Sequence, residues 1–176
     1  MDSLNKQNSI THFIVGASRG IGRSLVDQSI QNGHSVTALS RTLPIEPVTG
    51  CDWITGDATQ PEAFLDQLPE KINALTFCPG KVILGPVKRL KPEQMLEAYQ
   101  TSVLDAFTLV QALLPRLEGS VVFISSVAAT TGLPSHCAIS AAKSGLEGFA
   151  IALAADLAPK VRVNVLAPTL TPTEMG

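Results

Sequence analysis

The sequence predicts an α/β fold in which a doubly wound parallel sheet of about six strands carries helices on both faces. Short apolar runs typical of buried strands alternate along the chain with longer segments of helical apolar spacing. The composition agrees, because 45% of the residues are hydrophobic and only 16% are charged. A chain of 176 residues is long enough for a substantial core, and we expect residues 1–176 to form a single domain.

The strands are predicted from apolar runs that end at turn-forming residues. In chain order, these runs are Thr11–Ala17, Ser35–Ser40, Asp52–Thr55, Ile72–Cys78, Ser120–Ser125 and Val161–Ala167. Because a helix or a long connection separates most of them, we expect the strands to be parallel, with right-handed crossovers.

Four segments have the apolar spacing of helices: Gly20–Asn32, Pro61–Leu68, Pro92–Leu117 and His136–Leu157. Gly33 suits the C-terminal end of the first helix, and Pro61 occupies the favoured first position of the second. The last helix has a face of small residues to which another element can come close. These residues are Ala138, Ala141, Ala142, Gly145 and Gly148.

The first strand runs into a glycine-rich turn that opens the first helix, Gly16-Ala17-Ser18-Arg19-Gly20-Ile21-Gly22. Backbone N–H groups at a helix N-terminus are unpaired and attract an anion. Gly16 allows the tight turn, Gly20 a close approach to a pyrophosphate, and Gly22 the packing of helix against strand. The segment therefore predicts the phosphate-binding turn of a nucleotide site.

Charge and cysteine content argue against several other classes of protein. The net charge of −2 and the lack of a basic block disfavour nucleic-acid binding. Cys51, Cys78 and Cys137 are odd in number and form no C-x-x-C pair, so we expect no disulfide framework, no metal site and a reducing cytoplasm. We find neither the apolar core of a signal peptide nor an uninterrupted apolar run of membrane-spanning length, and we expect no membrane partner.

The G-x-x-x-G-x-G spacing of the turn resembles that of the short-chain dehydrogenase/reductase family. Four later segments resemble family motifs in the same order along the chain: Gly56-Asp57, Ile124-Ser125-Ser126, Ala142-Lys143-Ser144-Gly145-Leu146 and Arg162-Val163-Asn164-Val165-Leu166-Ala167-Pro168. The resemblance extends from about Ile10 to the end of the chain, and it implies a Rossmann-type sheet that binds a nicotinamide cofactor.

NADP(H) is the cofactor that the second strand favours. An NAD enzyme needs an acidic residue after this strand, where the sequence reads Leu39-Ser40-Arg41-Thr42. Arg41 can pair with a 2′-phosphate, Ser40 can donate a hydrogen bond to it, and Arg19 can add a second guanidinium. The alternative is that both arginines are ordinary surface charges. The resemblance places Asp57 beside the adenine, although this residue can also cap the turn before Pro61.

The same resemblance implies cofactor-binding residues from the turn to the last strand. Besides those named above, Ser18 and Ile21 belong to the turn, and Gly80 is what remains of an Asn-Asn-Ala-Gly motif that here reads Phe77-Cys78-Pro79-Gly80. After the sixth strand the family has Pro-Gly, and this sequence keeps the proline as Pro168 but has Thr169 in place of the glycine. Thr173 matches the family threonine that contacts the nicotinamide amide.

The catalytic motif is incomplete. The resemblance assigns Lys143 to the nicotinamide ribose and Ser126 to the substrate oxygen, but Ile139 occupies the place of the catalytic tyrosine. Ser102 stands at the position of the family asparagine. His136 lies one helical turn before Ile139, and imidazole has an ordinary pKa of about 6.5, so His136 is our candidate proton donor.

Structural alternatives exist for each catalytic residue. Lys143 can be a surface lysine, Ser126 can cap its loop, and His136 can lie in solvent, with Ser126 or a water as the proton source. Tyr99 is the only tyrosine and fits core packing or a subunit contact better than chemistry.

Family members continue beyond the Thr173 segment with lid helices and a seventh strand, which we expect to be absent here unless these residues belong to a longer product. We expect a homodimer or homotetramer formed through the two long helices. The leading hypothesis is an NADP(H)-dependent oxidoreductase acting on an unknown carbonyl or alcohol. The rival is a non-catalytic NADP(H)-binding protein, for example a sensor or an oligomer partner.

Overall fold

The computed structural model describes residues 9–169 and 171, and within them six strands form one parallel sheet. The strands are β1 (Thr11–Val15), β2 (Ser35–Ser40), β3 (Cys51–Thr55), β4 (Ile72–Phe77), β5 (Leu117–Ile124) and β6 (Val161–Leu166). Their spatial order is β3-β2-β1-β4-β5-β6, and every neighbouring pair is parallel. The predicted fold class is confirmed.

Helices cover both faces of this sheet. They are α1 (Gly20–Gln31), α2 (Pro92–Tyr99), α3 (Asp105–Leu113) and α4 (Cys137–Leu157). Successive side chains of β1 point to opposite faces. Ile14 packs with Val26 of α1 on one face, whereas Phe13 belongs to the core that contains Leu109 of α3 and Leu146 of α4.

Two of the predicted helices differ in the structure. The segment Pro61–Leu68 forms two short 3₁₀ turns, Pro61–Ala63 and Leu65–Gln67. The predicted helix Pro92–Leu117 is divided into α2 and α3 by a π-helical turn at Gln100–Leu104. A π turn holds one more residue than an α turn, and the continuous apolar spacing does not reveal it.

Strand β5 begins at Leu117, earlier than the predicted Ser120. The sequence reads as a loop here because of Gly119, which adopts φ +104° within the strand. A Cβ at this position would lie 2.5 Å from the Asn73 carbonyl oxygen, where the pairing of β4 with β5 is irregular. Glycine therefore serves a close approach of two strands rather than a turn.

By length and composition, α4 would also qualify as a membrane-spanning helix, which the search for uninterrupted apolar runs did not identify. Leu146, Ala150 and Leu153 bury one side of α4 in the main core of the sheet. A core helix of an α/β protein accounts for the same composition, and we interpret α4 in this way.

His12 is buried in β1 and connects the sheet to α1. Its Nδ1 lies 3.1 Å from Ser29 Oγ, and its Nε2 lies 2.9 Å from Thr76 Oγ1. Burial, with a smaller contribution from His34, lowers the pKa of His12 to about 4. Both ring nitrogens are thus satisfied by hydroxyl groups while the ring is neutral.

This network predicts a loss of stability in mild acid. Between pH 6.5 and about 4 the unfolded chain binds a proton that folded His12 does not, so the free energy of unfolding should fall as the pH is lowered. The pKa difference corresponds to roughly 3 kcal/mol. Urea unfolding at several pH values measures this change in the free energy of unfolding. His12→Gln keeps a hydrogen-bonding side chain that does not titrate, and identical pH slopes in the two proteins would contradict the assignment.

Candidate functional site

The carboxyl ends of all the described strands open into one cleft of about 1240 Å³. Strands β2 and β3 lie on one side of β1, and β4 to β6 lie on the other, so the strand order reverses at β1. Open α/β sheets bind their ligands in the crevice at such a reversal. The cleft occupies this position.

Nearly all the residues singled out in the sequence line this cleft. They are Gly16, Ser18, Arg19, Gly20, Ile21, Gly22, Ser40, Arg41, Asp57, Gly80, Ser126, His136, Lys143 and Pro168. Thr173 lies outside the described residues. These residues meet in one cleft because the sheet is parallel, and the carboxyl ends of its strands lie at the same edge.

The glycine turn has the geometry of a phosphate cradle. Gly16 and Gly20 adopt φ +76° and +56°, where other residues are strained. A Cβ on Gly22 would lie 2.3 Å from the Gly16 carbonyl oxygen, so only glycine lets α1 pack on the turn. The Arg19 side chain makes no capping hydrogen bond to α1. The first N–H groups of this helix therefore retain their capacity to bind an anion.

Positive charge lies beside the turn at the β2 end of the cleft. Arg19 and Arg41 are both exposed, and both line the cleft. Ser40 differs from the prediction, because its hydroxyl donates to the Thr42 carbonyl oxygen at 2.7 Å. In this arrangement the Ser40 proton is donated within the turn after β2, and the two arginines are the cationic donors that border this part of the cleft.

Asp57 caps the turn that follows β3. Its Oδ1 accepts from the backbone N–H and from the hydroxyl of Thr59, both at 2.9 Å. The structure thus contains the predicted cap, while the side chain still borders the cleft. A carboxylate has two oxygens with several lone pairs, so capping leaves acceptor capacity for a ligand.

Asp105 is a cleft residue that the sequence analysis missed. Its Oδ1 accepts from Gln100 Nε2 at 2.9 Å across the π-helical turn. Burial raises its pKa, the Gln100 hydrogen bond lowers it, and the charges of Asp57 and Arg41 act in opposite senses. The sequence shows only an acidic residue within a predicted helix, and the π turn that brings it into the cleft has no sequence signal here.

Lys143 is buried, which excludes the surface-lysine alternative. Its side chain is only 5% exposed, and its Nζ donates to the carbonyl oxygens of Ile124 at 2.7 Å and Pro79 at 3.3 Å. Burial lowers its pKa to about 8, with a small opposing effect from Cys78. A Cβ on Gly80 would lie 2.8 Å from Nζ, so glycine at this position makes room for the ammonium group.

Ser126 caps the turn after β5 and keeps its own proton. Its Oγ accepts from the Ala128 backbone N–H at 3.2 Å, which leaves the hydroxyl free to donate into the cleft. The buried neighbour Ser125 donates to Glu147 Oε1 at 2.6 Å and so ties the end of β5 to α4. The capping and substrate-binding interpretations of Ser126 are therefore compatible.

Ile139 and His136 both border the cleft at the start of α4. Ile139 is 5% exposed and lies one helical turn before Lys143. His136 Nδ1 lies 2.6 Å from the Pro134 carbonyl oxygen, which can only accept, so Nδ1 carries the proton. Its Nε2 is then the nitrogen available for proton exchange. His136 is partly buried rather than fully in solvent.

Comparison with known proteins gives a consistent result. The family model for short chain dehydrogenases matches residues 11–176. Carbonyl reductase family member 4 of Danio rerio is 32% identical over 180 residues, covering 92% of this chain and 76% of the relative. The 3-oxoacyl-[acyl-carrier-protein] reductase of Mus musculus is 31% identical over 182 residues, covering 92% of this chain and 75% of the relative.

Among solved structures, a short chain dehydrogenase from Shigella flexneri complexed with NADP superimposes with a TM-score of 0.83. It is 26% identical, and the match covers 96% of this chain and 80% of the Shigella chain. The aldohexose dehydrogenase of Thermoplasma acidophilum, solved without ligand, superimposes with a TM-score of 0.86. At 22% identity over 97% of this chain and 70% of that one, this likeness concerns the fold alone.

Gly22→Ala tests the packing of the turn. The added methyl group would meet backbone atoms of Gly16 and Ala17, and such overpacking costs about 1–3 kcal/mol. Gly148→Ala is the matched control, because no atom of the described residues lies within 4 Å of a Cβ there, and alanine favours a helix. Urea unfolding should show a destabilised Gly22→Ala and a Gly148→Ala at least as stable as wild type. A Gly22→Ala protein as stable as wild type would show that the contact is not needed.

Proposed function

Because the chain belongs to the short chain dehydrogenase family, we propose that residues 1–176 form a single NADP(H)-binding domain that acts as an oxidoreductase. It would transfer a hydride between the nicotinamide and a carbonyl or alcohol substrate. One observation carries the proposal: the glycine turn, two arginines and a buried lysine line a single cleft. The NADP in the Shigella structure and the reductase names of the two relatives support it.

The residues present fit NADP(H). The N–H groups at the start of α1 would hold the pyrophosphate, in the cradle that a Cβ on Gly22 would disrupt. Arg41 and Arg19 would bind the 2′-phosphate, which suits the planar guanidinium fork. Asp57 would accept from the adenine. Lys143 would hold the nicotinamide ribose, with Gly80 and Pro168 near the nicotinamide. The family resemblance assigns the nicotinamide amide to Thr173, which lies outside the described residues. When bound, the nicotinamide supplies or accepts the hydride.

Residues of the chain would bind the substrate oxygen and supply its proton. The Ser126 hydroxyl retains its proton and would donate a hydrogen bond to the carbonyl oxygen. In the reducing direction, a hydride adds to the carbonyl carbon and a proton must reach the oxygen. His136, protonated on both nitrogens, would deliver that proton from Nε2 and be reprotonated by solvent. Ile139 has no proton to give.

The second candidate is a non-catalytic NADP(H)-binding protein, and Ile139 is the observation that favours it. A buried apolar side chain stands one turn before Lys143, where the family resemblance implies the proton donor. Such a protein would keep every cofactor contact and lose turnover. Ser126 and buried Lys143 favour the enzyme, because both retain polar hydrogen atoms at the same end of the cleft.

We further propose a homodimer or homotetramer formed through the helices of one sheet face. Leu96 of α2 is 64% exposed, Phe107 of α3 is 46% exposed, and Ile151 of α4 is 74% exposed. Apolar surface of this kind is typical of subunit contacts. Part of the small-residue face of α4 already packs against α2 of the same chain, because a Cβ on Gly145 would lie 3.0 Å from the Tyr99 ring. Tyr99 therefore packs on α4 and borders the proposed contact.

A reducing cytoplasm remains our expectation for the location. Cys51, Cys78 and Cys137 are all free thiols, which such a compartment maintains. Burial raises the pKa of Cys78 to about 12 and that of Cys51 to about 11, so neither is a reactive thiolate near neutral pH.

Cofactor preference is tested by Arg41→Gln. Loss of charge-assisted hydrogen bonds to the 2′-phosphate should weaken NADPH binding about tenfold or more, while NADH binding changes little. Fluorescence titration gives both dissociation constants. Arg89→Gln is the control, because Arg89 is an exposed arginine of the turn Val87–Arg89 and does not line the cleft. Tighter binding of NADH than of NADPH by the wild type, or equal losses for both cofactors in Arg41→Gln, would contradict the proposal.

Turnover separates the two candidate functions. NADPH consumption is followed over a panel of carbonyl compounds for wild type, Ile139→Tyr, His136→Ala and Cys137→Ala. The enzyme proposal predicts activity in wild type that falls about 10²-fold or more in His136→Ala. Cys137→Ala, at the exposed neighbouring position, should retain activity. Tight NADPH binding with turnover only in Ile139→Tyr would instead identify a non-catalytic protein.

A further inference from the structure

The two ends of the cleft differ sharply in chemical character. Its carboxylates and guanidinium groups come from the glycine turn, from α1, from the segments after β2 and β3, and from α3. These residues are Arg19, Arg23, Arg41, Glu46, Asp57 and Asp105. The other end is built from the segments after β4, β5 and β6 and from α4. Charge is thus concentrated where the adenosine half of the cofactor would lie.

Apolar side chains form the walls of the second end. Val82 comes from the segment after β4, Leu133 from the segment after β5, and Ile139 from α4. The Gly85 backbone N–H donates to the Ser135 carbonyl oxygen at 2.9 Å, so the first two segments are joined beside the start of α4. Val82 and Leu133 remain 49% and 39% exposed, which leaves apolar surface for a ligand to cover.

The polar groups at this end are neutral or are committed to the protein, to the cofactor or to the reacting oxygen. Ser126, Thr169 and Thr171 offer hydroxyl groups, and Cys78 is held as a neutral thiol by burial. The Lys143 ammonium donates to two backbone carbonyls, and the Glu147 carboxylate accepts from Ser125 behind β5. His136 Nδ1 is hydrogen-bonded to the Pro134 carbonyl oxygen, and in the proposed reaction its Nε2 is directed to the substrate oxygen. Among the residues that the structure describes, no arginine and no free lysine lines this end, so a carboxylate or phosphate elsewhere on a substrate would be desolvated here without an ion pair.

We propose that the substrate is an uncharged, apolar ketone or aldehyde, or the corresponding alcohol, whose body packs between Val82, Leu133 and Ile139. Its oxygen points to Ser126. The inference rests on the proposed function and assigns Ile139 a part in substrate selection. Anionic 2-oxo acids and phosphorylated carbonyl compounds are rejected by the same walls. A hydrophobic pocket with few placed polar groups is the usual design of a small-molecule site.

A pair of ketones of similar shape tests the inference: 4-methylacetophenone and 4-carboxyacetophenone differ in one methyl or carboxylate group. NADPH and NADP⁺ binding is measured first by titration. Dissociation constants of both ketones are then measured by ligand-observed NMR on the protein saturated with NADP⁺, so the readout does not require turnover. We expect the methyl compound to bind at least about tenfold more tightly, since the carboxylate lies on the far side of the ring from the ketone and loses hydration there with no arginine or free lysine among the described lining residues.

Leu133→Arg should reverse this preference by providing the missing cation. The methyl compound should bind about tenfold more weakly than in wild type, and the carboxylate should bind more tightly. Leu84→Arg is the matched control, because Leu84 is exposed in the same region but does not line the cleft. Leu84→Arg should leave both constants unchanged. NADPH and NADP⁺ binding is measured for each variant, and the ketone constants are compared at cofactor saturation in each.

The possible results distinguish a failure of the proposed substrate class from a failure of the proposed NADP(H)-dependent function. Failure to bind NADPH would overturn both. NADPH binding with equal or tighter binding of the carboxylate, or with no binding of either ketone, would overturn the inference alone. Binding of the methyl ketone without NADPH consumption would support the inference and point to the non-catalytic candidate.

Discussion

The contact between Gly22 and the Gly16 carbonyl is the constraint on which the site depends. With no side chain at position 22, α1 begins directly against the turn after β1, at a distance that a Cβ would reduce to 2.3 Å. The uncapped first turn of α1 therefore faces the edge where the carboxyl ends of the parallel strands meet. Residues remote in sequence, such as Arg41 and Ser126, reach the same cleft only because the sheet is parallel.

Lys143 lies in the cleft between the proposed cofactor-binding residues and the proposed catalytic residues. It is a buried ammonium whose identified partners are two carbonyl oxygens, at the ends of β4 and β5, and burial lowers its pKa to about 8. Burying a charge in this way opposes folding, and proteins retain such arrangements where a ligand uses them. The glycine at position 80, which leaves space for the ammonium group, is consistent with a site built around it.

Much of this arrangement could be predicted from the sequence, because local signals decide it. Alternating strands and helices imply a parallel sheet, the glycine spacing implies the turn, and the residues singled out at the strand ends line one cleft. The hydrogen-bond partners of Ser40 and Asp105 could not be predicted in the same way. Ser40 donates to Thr42 rather than into the cleft, and Asp105 enters the cleft through a π turn without a sequence signature. Both features depend on tertiary packing, about which hydrophobic periodicity carries no information.

The central claim is that the cleft binds NADP(H) through the glycine turn and the segment after β2. Hydrogen–deuterium exchange with and without NADPH tests its location most directly, since ordering by a ligand slows exchange where contacts form. The account predicts slowed exchange in peptides covering residues 16–22 and 39–42, with little change in β6. Protection confined to other regions, or none at saturating NADPH, would contradict it.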